Sequence, residues 1–190
     1  MMKSKYIEKL LNGAKVEWKK LGEVAELKRG KTLTAKNKTN GNIPVISGGQ
    51  KPAFYHSEYN RKGETITVAG SGAYAGYIMF WNEPIFVSDA FSIKPDLNIL
   101  ITKYLYYFLK NKQQWIYKQK KGSGVPHVYP KDLAQLQIPI PPLPVQQEIV
   151  RILDTFTELT AELTAELTAR KKQYEYYRDL LLSFPKEEVK

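Results

Sequence analysis

The C-terminal quarter of the chain carries a helical pattern too long for one small domain to cover, and this limits the possible folds more than any other feature. Ile149, Ile152, Phe156, Leu159, Leu163, Leu167, Tyr174, Tyr177, Leu181 and Phe184 follow one another at spacings of 3, 4, 3, 4, 4, 7, 3, 4 and 3 residues. This is a heptad-like seam with one phase shift. An unbroken helix from Pro144 to Ser183 would be roughly 60 Å long at about 1.5 Å per residue, whereas globular helices usually run about 8 to 20 residues. The pattern therefore predicts a coiled-coil helix lying against another helix, through self-association or on another subunit. The partner-facing residues would be Ile149, Ile152, Phe156, Leu159, Leu163, Leu167, Tyr174, Tyr177 and Leu181. Within the seam, Thr160-Ala161-Glu162-Leu163 recurs at once as Thr164-Ala165-Glu166-Leu167, with partial copies at Thr157-Glu158-Leu159 and Thr168-Ala169-Arg170. A repeat this short sets helix length.

The preceding residues read as one globular domain, giving a boundary between 1–142 and 143–190. The expected class is α+β, a small mixed domain followed by the long helix. Hydrophobic residues make up 43% of the 190-residue chain, enough for a core. Cysteine is absent and His56 and His127 are the only histidines, which argues against disulfides, thiolate catalysis and a cysteine or histidine metal centre. No signal peptide and no apolar run of about 18 residues is present, so a cytoplasmic protein without a membrane association is expected.

The net charge of +10 is unevenly placed. Residues 1–142 hold 22 Lys plus Arg against 10 Asp plus Glu, a net +12, while residues 143–190 hold 7 against 9, a net −2. The globular part alone is cationic, and its basic residues are interleaved with Tyr55, Tyr59, Tyr74, Trp81, Trp115 and Tyr117. That mixture suits a phosphate backbone and base edges, so double-stranded DNA is the expected partner. Three glycine-bearing loops are the leading candidates. The first carries Lys28, Arg29 and Lys31 and continues to Lys36 and Lys38. The second, Ser47-Gly48-Gly49-Gln50-Lys51, offers Gln50 for bidentate pairing with adenine and Lys51 for phosphate. The third contains Ser71 and Tyr74. Lys120, Lys121, Ser123 and His127 form a further polar segment.

Local patterns fill in the domain. Lys5 to Leu11 reads as a short helix closed by Asn12-Gly13, residues suited to a left-handed cap. Short strands are expected at Val24–Lys28, Ile43–Ser47, Thr65–Ala69, Tyr74–Trp81, Ile85–Ser88 and Phe91–Lys94, punctuated by Gly, Asn and Pro. Ile101 to Lys118 has helical spacing, as one helix or a broken pair. Residues 136–140 alternate and contain Pro139, as an edge strand or strap would. Pro141, Pro142 and Pro144 stiffen the exit, with Pro144 suited to a first helical turn.

Catalytic signatures are missing. There is no Asn- or Asp-Pro-Pro-aromatic tetrad and no glycine-rich methyl-donor loop, and Gly70-Ser71-Gly72 is too short for a nucleotide loop. Pro95-Asp96 together with Glu188-Val189-Lys190 resembles a nuclease signature only in spacing. His127 has no partnered nucleophile and reads as a structural or DNA-contacting residue.

Several segments together resemble the DNA specificity subunit of Type I restriction-modification systems. They are Val16-Glu17-Trp18-Lys19-Lys20-Leu21-Gly22-Glu23-Val24, Gly70-Ser71-Gly72, Phe91-Ser92-Ile93-Lys94, and the stretch Ile138-Pro139-Ile140-Pro141-Pro142-Leu143-Pro144-Val145-Gln146-Gln147-Glu148. The proline strap followed by Thr-Ala-Glu-Leu repeats is the most specific part. The resemblance implies a non-catalytic target recognition domain with a helical spacer. That spacer docks methylation subunits and, where one is present, a restriction translocase. The chain itself would need no cofactor; S-adenosylmethionine would sit on the methylation subunit, which flips the base. Family members usually carry two recognition domains and two spacer helices, whereas this sequence has one of each and reads as a half subunit. Two copies pairing their helices antiparallel would restore the two-domain arrangement and read a symmetric bipartite site. The rival readings are a stand-alone dimeric DNA-binding regulator and a truncated fragment acting in recombination or inhibiting assembly.

Overall fold

The computed structural model describes residues 5–184, and Glu188-Val189-Lys190 of the nuclease-like spacing lies outside them. The chain divides into two compact units, residues 1–150 and 151–190. The first is an α+β domain. The second consists of the greater part of one long helix.

The centre of the first unit is β5 (Thr65–Ala69), whose five residues, Thr-Ile-Thr-Val-Ala, are all buried. A β-branched run of this kind packs well on a pleated surface. It lies in an antiparallel sheet of order β2-β8-β5-β6, with β2 at Ala25–Arg29, β6 at Ile78–Trp81 and β8 at Ala90–Pro95. Alternation sorts the side chains. Leu27, Ile66, Val68, Ile78, Phe91 and Ile93 enter the main core. Lys28, Thr67, Ser92 and Lys94 are in the intervening positions, with Lys28 opposite Ser92 and Glu26 opposite Lys94.

Helices cover the apolar face. α1 spans Lys5–Leu11 and α2 spans Leu21–Val24. α3 (Thr102–Asn111) buries Tyr104, Leu105 and Leu109, spaced for one helical face. α4 (Gln113–Tyr117) buries Ile116 and α5 (Pro130–Leu133) buries Leu133. The segment expected as one helix or a broken pair is the pair. Lys112, at φ −91° and ψ 8°, ends α3 and starts α4. A second mixed sheet, β4-β3-β7 (Phe54–His56, Ile43–Ile46 and Phe86–Val87), packs Ile46, Ile85 and Val87 with Ala90.

One sequence expectation needs correcting. The strand expected from Tyr74 starts only at Ile78, because Ser71 to Gly76 folds as a turn. Gly72 and Gly76 take φ of 82° and 86°, and the amides of Ala75 and Tyr77 donate to the carbonyls of Gly72 and Tyr74 at 3.0 and 2.9 Å. The segment expected as an edge strand or strap is a strand. β9 (Gln137–Ile140) joins β1 (Glu17–Lys20) in a two-stranded antiparallel sheet that places Pro139 opposite Trp18. The short elements β1, α2, β4 and α5 had no clear periodicity of their own. The left-handed cap after α1 is present, at Asn12 (φ 45°) and Gly13 (φ 80°).

Past the strap, α6 runs from Leu143 to Leu182, 40 residues and about 60 Å. Its first turns belong to the domain. Gln146 is fully buried: its Oε1 accepts from the Ile101 amide at 2.9 Å, and its Nε2 donates to the carbonyls of Ile99 and Pro141, both at 2.8 Å. One side chain thus joins the start of α6, the strap and the lead-in to α3. Tyr104 adds a second link, donating its hydroxyl to the Pro139 carbonyl at 3.0 Å. Burial pushes the Tyr104 phenol up to about 12.

In the second unit the seam is bare, with Phe156 63%, Leu163 57% and Leu181 69% exposed. The repeat threonines satisfy their own hydroxyls. Thr160, Thr164 and Thr168 each donate to the carbonyl four residues earlier at 2.7 to 2.8 Å. They share one helix surface with Ala161, Ala165 and Ala169. No helix among the described residues is long and apolar enough to cross a membrane.

Replacing Gln146 by Leu leaves the Ile101 amide and two carbonyls without partners, at about 1–3 kcal/mol for each unsatisfied buried group. Urea unfolding is expected to show a loss on the order of 3 kcal/mol or more, and a loss below about 1 kcal/mol contradicts the clamp. For Tyr104 the folded phenol titrates above its unfolded value of 10.0, so its contribution is full below pH 10 and is lost as pH rises through about 12. Melting temperatures of the wild type should fall more steeply over pH 10–12 than those of Tyr104→Phe. Parallel curves would contradict this.

Candidate nucleic-acid interface

Two loops, the end of β2 and a small hairpin converge on one polar surface. The backbones of Lys121 and His127 exchange amide-to-carbonyl bonds at 2.9 and 2.8 Å, which closes a hairpin with Gly122, Ser123, Gly124 and Val125 exposed at its tip. On its other side His127 bridges to Ser71, where the Gly72 amide donates to the Pro126 carbonyl at 2.9 Å and the Val128 amide to the Gly70 carbonyl at 3.0 Å. The Ser71 hydroxyl donates to Asp89. Gly48, in the β3–β4 loop, lies so close that a Cβ there would fall 2.5 Å from the Ser71 carbonyl oxygen. Glycine permits that approach.

The aromatic and cationic groups continue outward from this point. His127 stacks on Tyr129 at 5.9 Å and 20°, and the Arg29 guanidinium lies over the Tyr129 ring at 5.5 Å. Lys120 donates to the Ala73 carbonyl at 2.8 Å and sits 4.7 Å from the Tyr117 ring. The Tyr117 phenol is held above its ordinary value by burial and then by Tyr77 and Tyr74 nearby. Tyr74 is exposed. Arg29, Ser71, Tyr74, Lys120, Lys121, Ser123 and His127 are therefore neighbours in the fold, and the Gly48 contact brings in the loop carrying exposed Gln50 and Lys51. Lys121 is partly engaged, its Nζ standing 2.8 Å from Asp132.

Other expected contacts separate from this cluster. Lys28 and Arg29 are consecutive on β2 and so leave opposite faces of the sheet, with Lys28 opposite Ser92 and Arg29 opposite Phe91. Lys28 lines a different cleft, beside Arg61 and Lys94. Lys31, Lys36 and Lys38 are exposed on a loop pinned to other elements. The Leu33 amide donates to Ser88 Oγ at 3.0 Å, and the Thr39 amide donates to Nδ1 of buried His56 at 3.0 Å. Tyr129, not among the residues singled out from the sequence, lies between His127, Arg29 and Lys131. Asp89 and Asp132 were also missed, because their roles depend on non-local pairing. Asp96 is a turn residue, its Oδ1 accepting from the Asn98 backbone and side chain at 3.0 and 2.8 Å.

The surface offers hydrogen-bond donors, stacked rings and cations without an acid–base pair aimed at a common point, which suits recognition of a nucleic acid. Residues 14–170 match the family described as the Type I restriction modification DNA specificity domain. The chain belongs to that family. It is 37% identical over 213 residues to the EcoR124I/EcoR124II specificity subunit of Escherichia coli, covering all of this chain and 50% of that protein. It is 32% identical over 225 residues to the EcoprrI specificity subunit of the same species, covering all of this chain and 55% of that protein. The chain spans about half the length of these curated relatives. The crystal structure of a Type I restriction-modification S subunit from M. genitalium superposes with a TM-score of 0.72 at 25% identity, over 89% of this chain and 46% of that one. The specificity-domain fold thus carries both the clustered surface and the long helix.

The close approach at Gly48 is testable. Gly48→Ala forces the loop away from Ser71 and should destabilise the domain by about 1–3 kcal/mol. Gly124→Ala, where nothing lies within 4 Å of the added carbon, should stay within about 0.5 kcal/mol. Equal urea midpoints for the two variants would contradict the packing described.

Proposed function

We propose that this chain is a non-catalytic DNA recognition subunit that reads one half of a bipartite site and is joined to a second copy through α6. The observation that carries the reading is the convergence of Arg29, Ser71, His127, Lys120 and Tyr129 on one surface of a specificity-family domain. The side chains there divide the work. Lys51 there, with Lys31, Lys36 and Lys38 on their separate loop, neutralises phosphates, while Arg29, Gln50, Ser71, Ser123 and His127 face base edges in the groove. Methyl transfer belongs to partner methylation subunits, which bind S-adenosylmethionine and dock on the helix. A restriction translocase joins the same assembly where one exists.

Support for self-association comes from the bare seam. Phe156, Leu159, Leu163, Leu167, Tyr174, Tyr177 and Leu181 are all exposed on the single chain, and stripes of this kind pair with helices of the same kind. An antiparallel pair places one recognition domain at each end, matched to inverted half-sites. The repeats then act as a ruler. One four-residue unit adds about 6 Å of helix, against about 3.4 Å per base pair, a change of up to about two base pairs.

Selection from a random duplex library with the full chain should enrich two inverted half-sites around a fixed gap. Deleting Thr164 to Leu167 should shorten that gap by one or two base pairs and leave the half-sites unchanged. An unchanged gap in a folded deletion variant contradicts the ruler, and the absence of any enriched motif contradicts the recognition reading. Sedimentation gives an independent check, since Leu159→Glu with Leu163→Glu should convert a dimer into a monomer. A wild-type monomer would instead assign the seam to another subunit.

A further inference from the structure

The polar face of the main sheet forms a second cationic feature, distinct from the Arg29–His127 surface. A cleft of 300 Å³ lies over β2, β8 and the start of β5, lined by Lys28, Lys62, Lys94, Arg61 and, as its only acid, Glu26. Four cations against one carboxylate leave a net +3. Arg61 is half-buried at its base and fixed by neutral acceptors. Its Nε donates to Ser92 Oγ at 2.7 Å, its Nη1 to the Asn60 carbonyl at 2.7 Å and its Nη2 to the Arg29 carbonyl at 3.1 Å. Asn60 is itself held by paired bonds with Val87 at 2.9 and 2.7 Å. Burial lowers the Arg61 pKa and the field of Glu26 opposes that shift, but a guanidinium keeps its proton regardless. Neither Arg61 nor the ammonium groups of Lys28, Lys62 and Lys94 form an ion pair with a described residue.

A positioned guanidinium in a concave site, rimmed by three uncommitted ammonium groups, matches the chemistry of a phosphate, which accepts from several donors at once. We propose that this cleft binds a backbone phosphate of the DNA and so supplies a grip that is independent of base sequence. The assignment rests on the DNA-recognition reading and extends it. Base discrimination lies with the Arg29–His127 surface, whereas Lys28, Lys94 and Lys62 around Arg61 contribute affinity only. The alternation of β2 separates the two functions, sending Lys28 and Arg29 to opposite faces. Lys28 and Lys94 are the residues to change, because neither ammonium supports the fold, whereas Arg61 joins β8 to the β2 backbone.

The test measures anisotropy of the full chain carrying Lys28→Gln and Lys94→Gln on two labelled duplexes, one with the selected half-site and one unrelated, across a salt series. Affinity should fall by the same factor on both duplexes, the slope of log K against log salt should shrink by about 1 for the lost phosphate, and the ratio between duplexes should stay constant. An unchanged slope and affinity, or a loss confined to the selected duplex, overturns the proposal. Titration with inorganic phosphate, followed by amide NMR shifts, gives the second arm. Saturable shifts at Arg61 and Ser92 in the wild type, absent from the double variant, support the cleft as a phosphate site even if no duplex binds and the recognition reading fails. Phosphate shifts combined with an unchanged salt slope would assign the cleft to a free phosphate and overturn the DNA assignment. No shift at millimolar phosphate, with no slope change, removes the site altogether.

Discussion

The fold depends on one buried amide side chain. Gln146 lies in the first turn of α6, yet its bonds go to Ile101, Ile99 and Pro141, so the start of the long helix is set by the lead-in to α3 and by the strap. A buried amide is costly unless both of its ends are satisfied, and the three bonds here meet that condition. Tyr104 secures the strap from the core side through Pro139, and Ile149 and Val150 continue the packing. The prolines reinforce this anchorage because they limit the backbone freedom of the same segment.

The second constraint is the two-residue alternation of the central sheet. β5 is buried on both sides, and alternation along β8 and β2 sends their apolar residues into the main core and Lys28, Ser92 and Lys94 to the opposite face. That rule puts Phe91 and Ile93 in the core and leaves Ser92 and Lys94 with Lys28 and Arg61. It also divides a run of consecutive basic residues between two surfaces. Positive charge that looks continuous in sequence becomes two features with different capacities, one bearing stacked rings and hydrogen-bond donors and the other a concave cluster of ammonium groups around a fixed guanidinium.

The sequence revealed the long-period elements best. The 40-residue helix, the cap at Asn12-Gly13, the break within Ile101–Lys118 and the strands at Thr65–Ala69 and Phe91–Lys94 were legible because periodicity and local turn chemistry determine them. The strand expected from Tyr74 was not correct, since apolar alternation concealed two glycines with positive φ. β1 and β4 were invisible because four or three residues without strong patterning become strands only when a distant partner pairs with them. The candidate site followed the same division. Gly48, Ser71 and His127 looked like separate loop residues, and their meeting depends on backbone pairing across 56 positions between Ser71 and His127. The opposite directions of Lys28 and Arg29 could have been inferred from strand alternation had β2 been extended through Arg29.

The central claim is that one recognition domain and one apolar seam suffice, in two copies, to direct a partner methylation subunit to a bipartite site. Long-read mapping of methylated bases tests this most directly, in cells expressing this chain with a candidate methylation subunit. The account predicts modified adenines within two identical, inverted half-sites separated by a fixed gap. Expression and complex formation without any methylated motif, or a motif built from two unrelated halves, would contradict it.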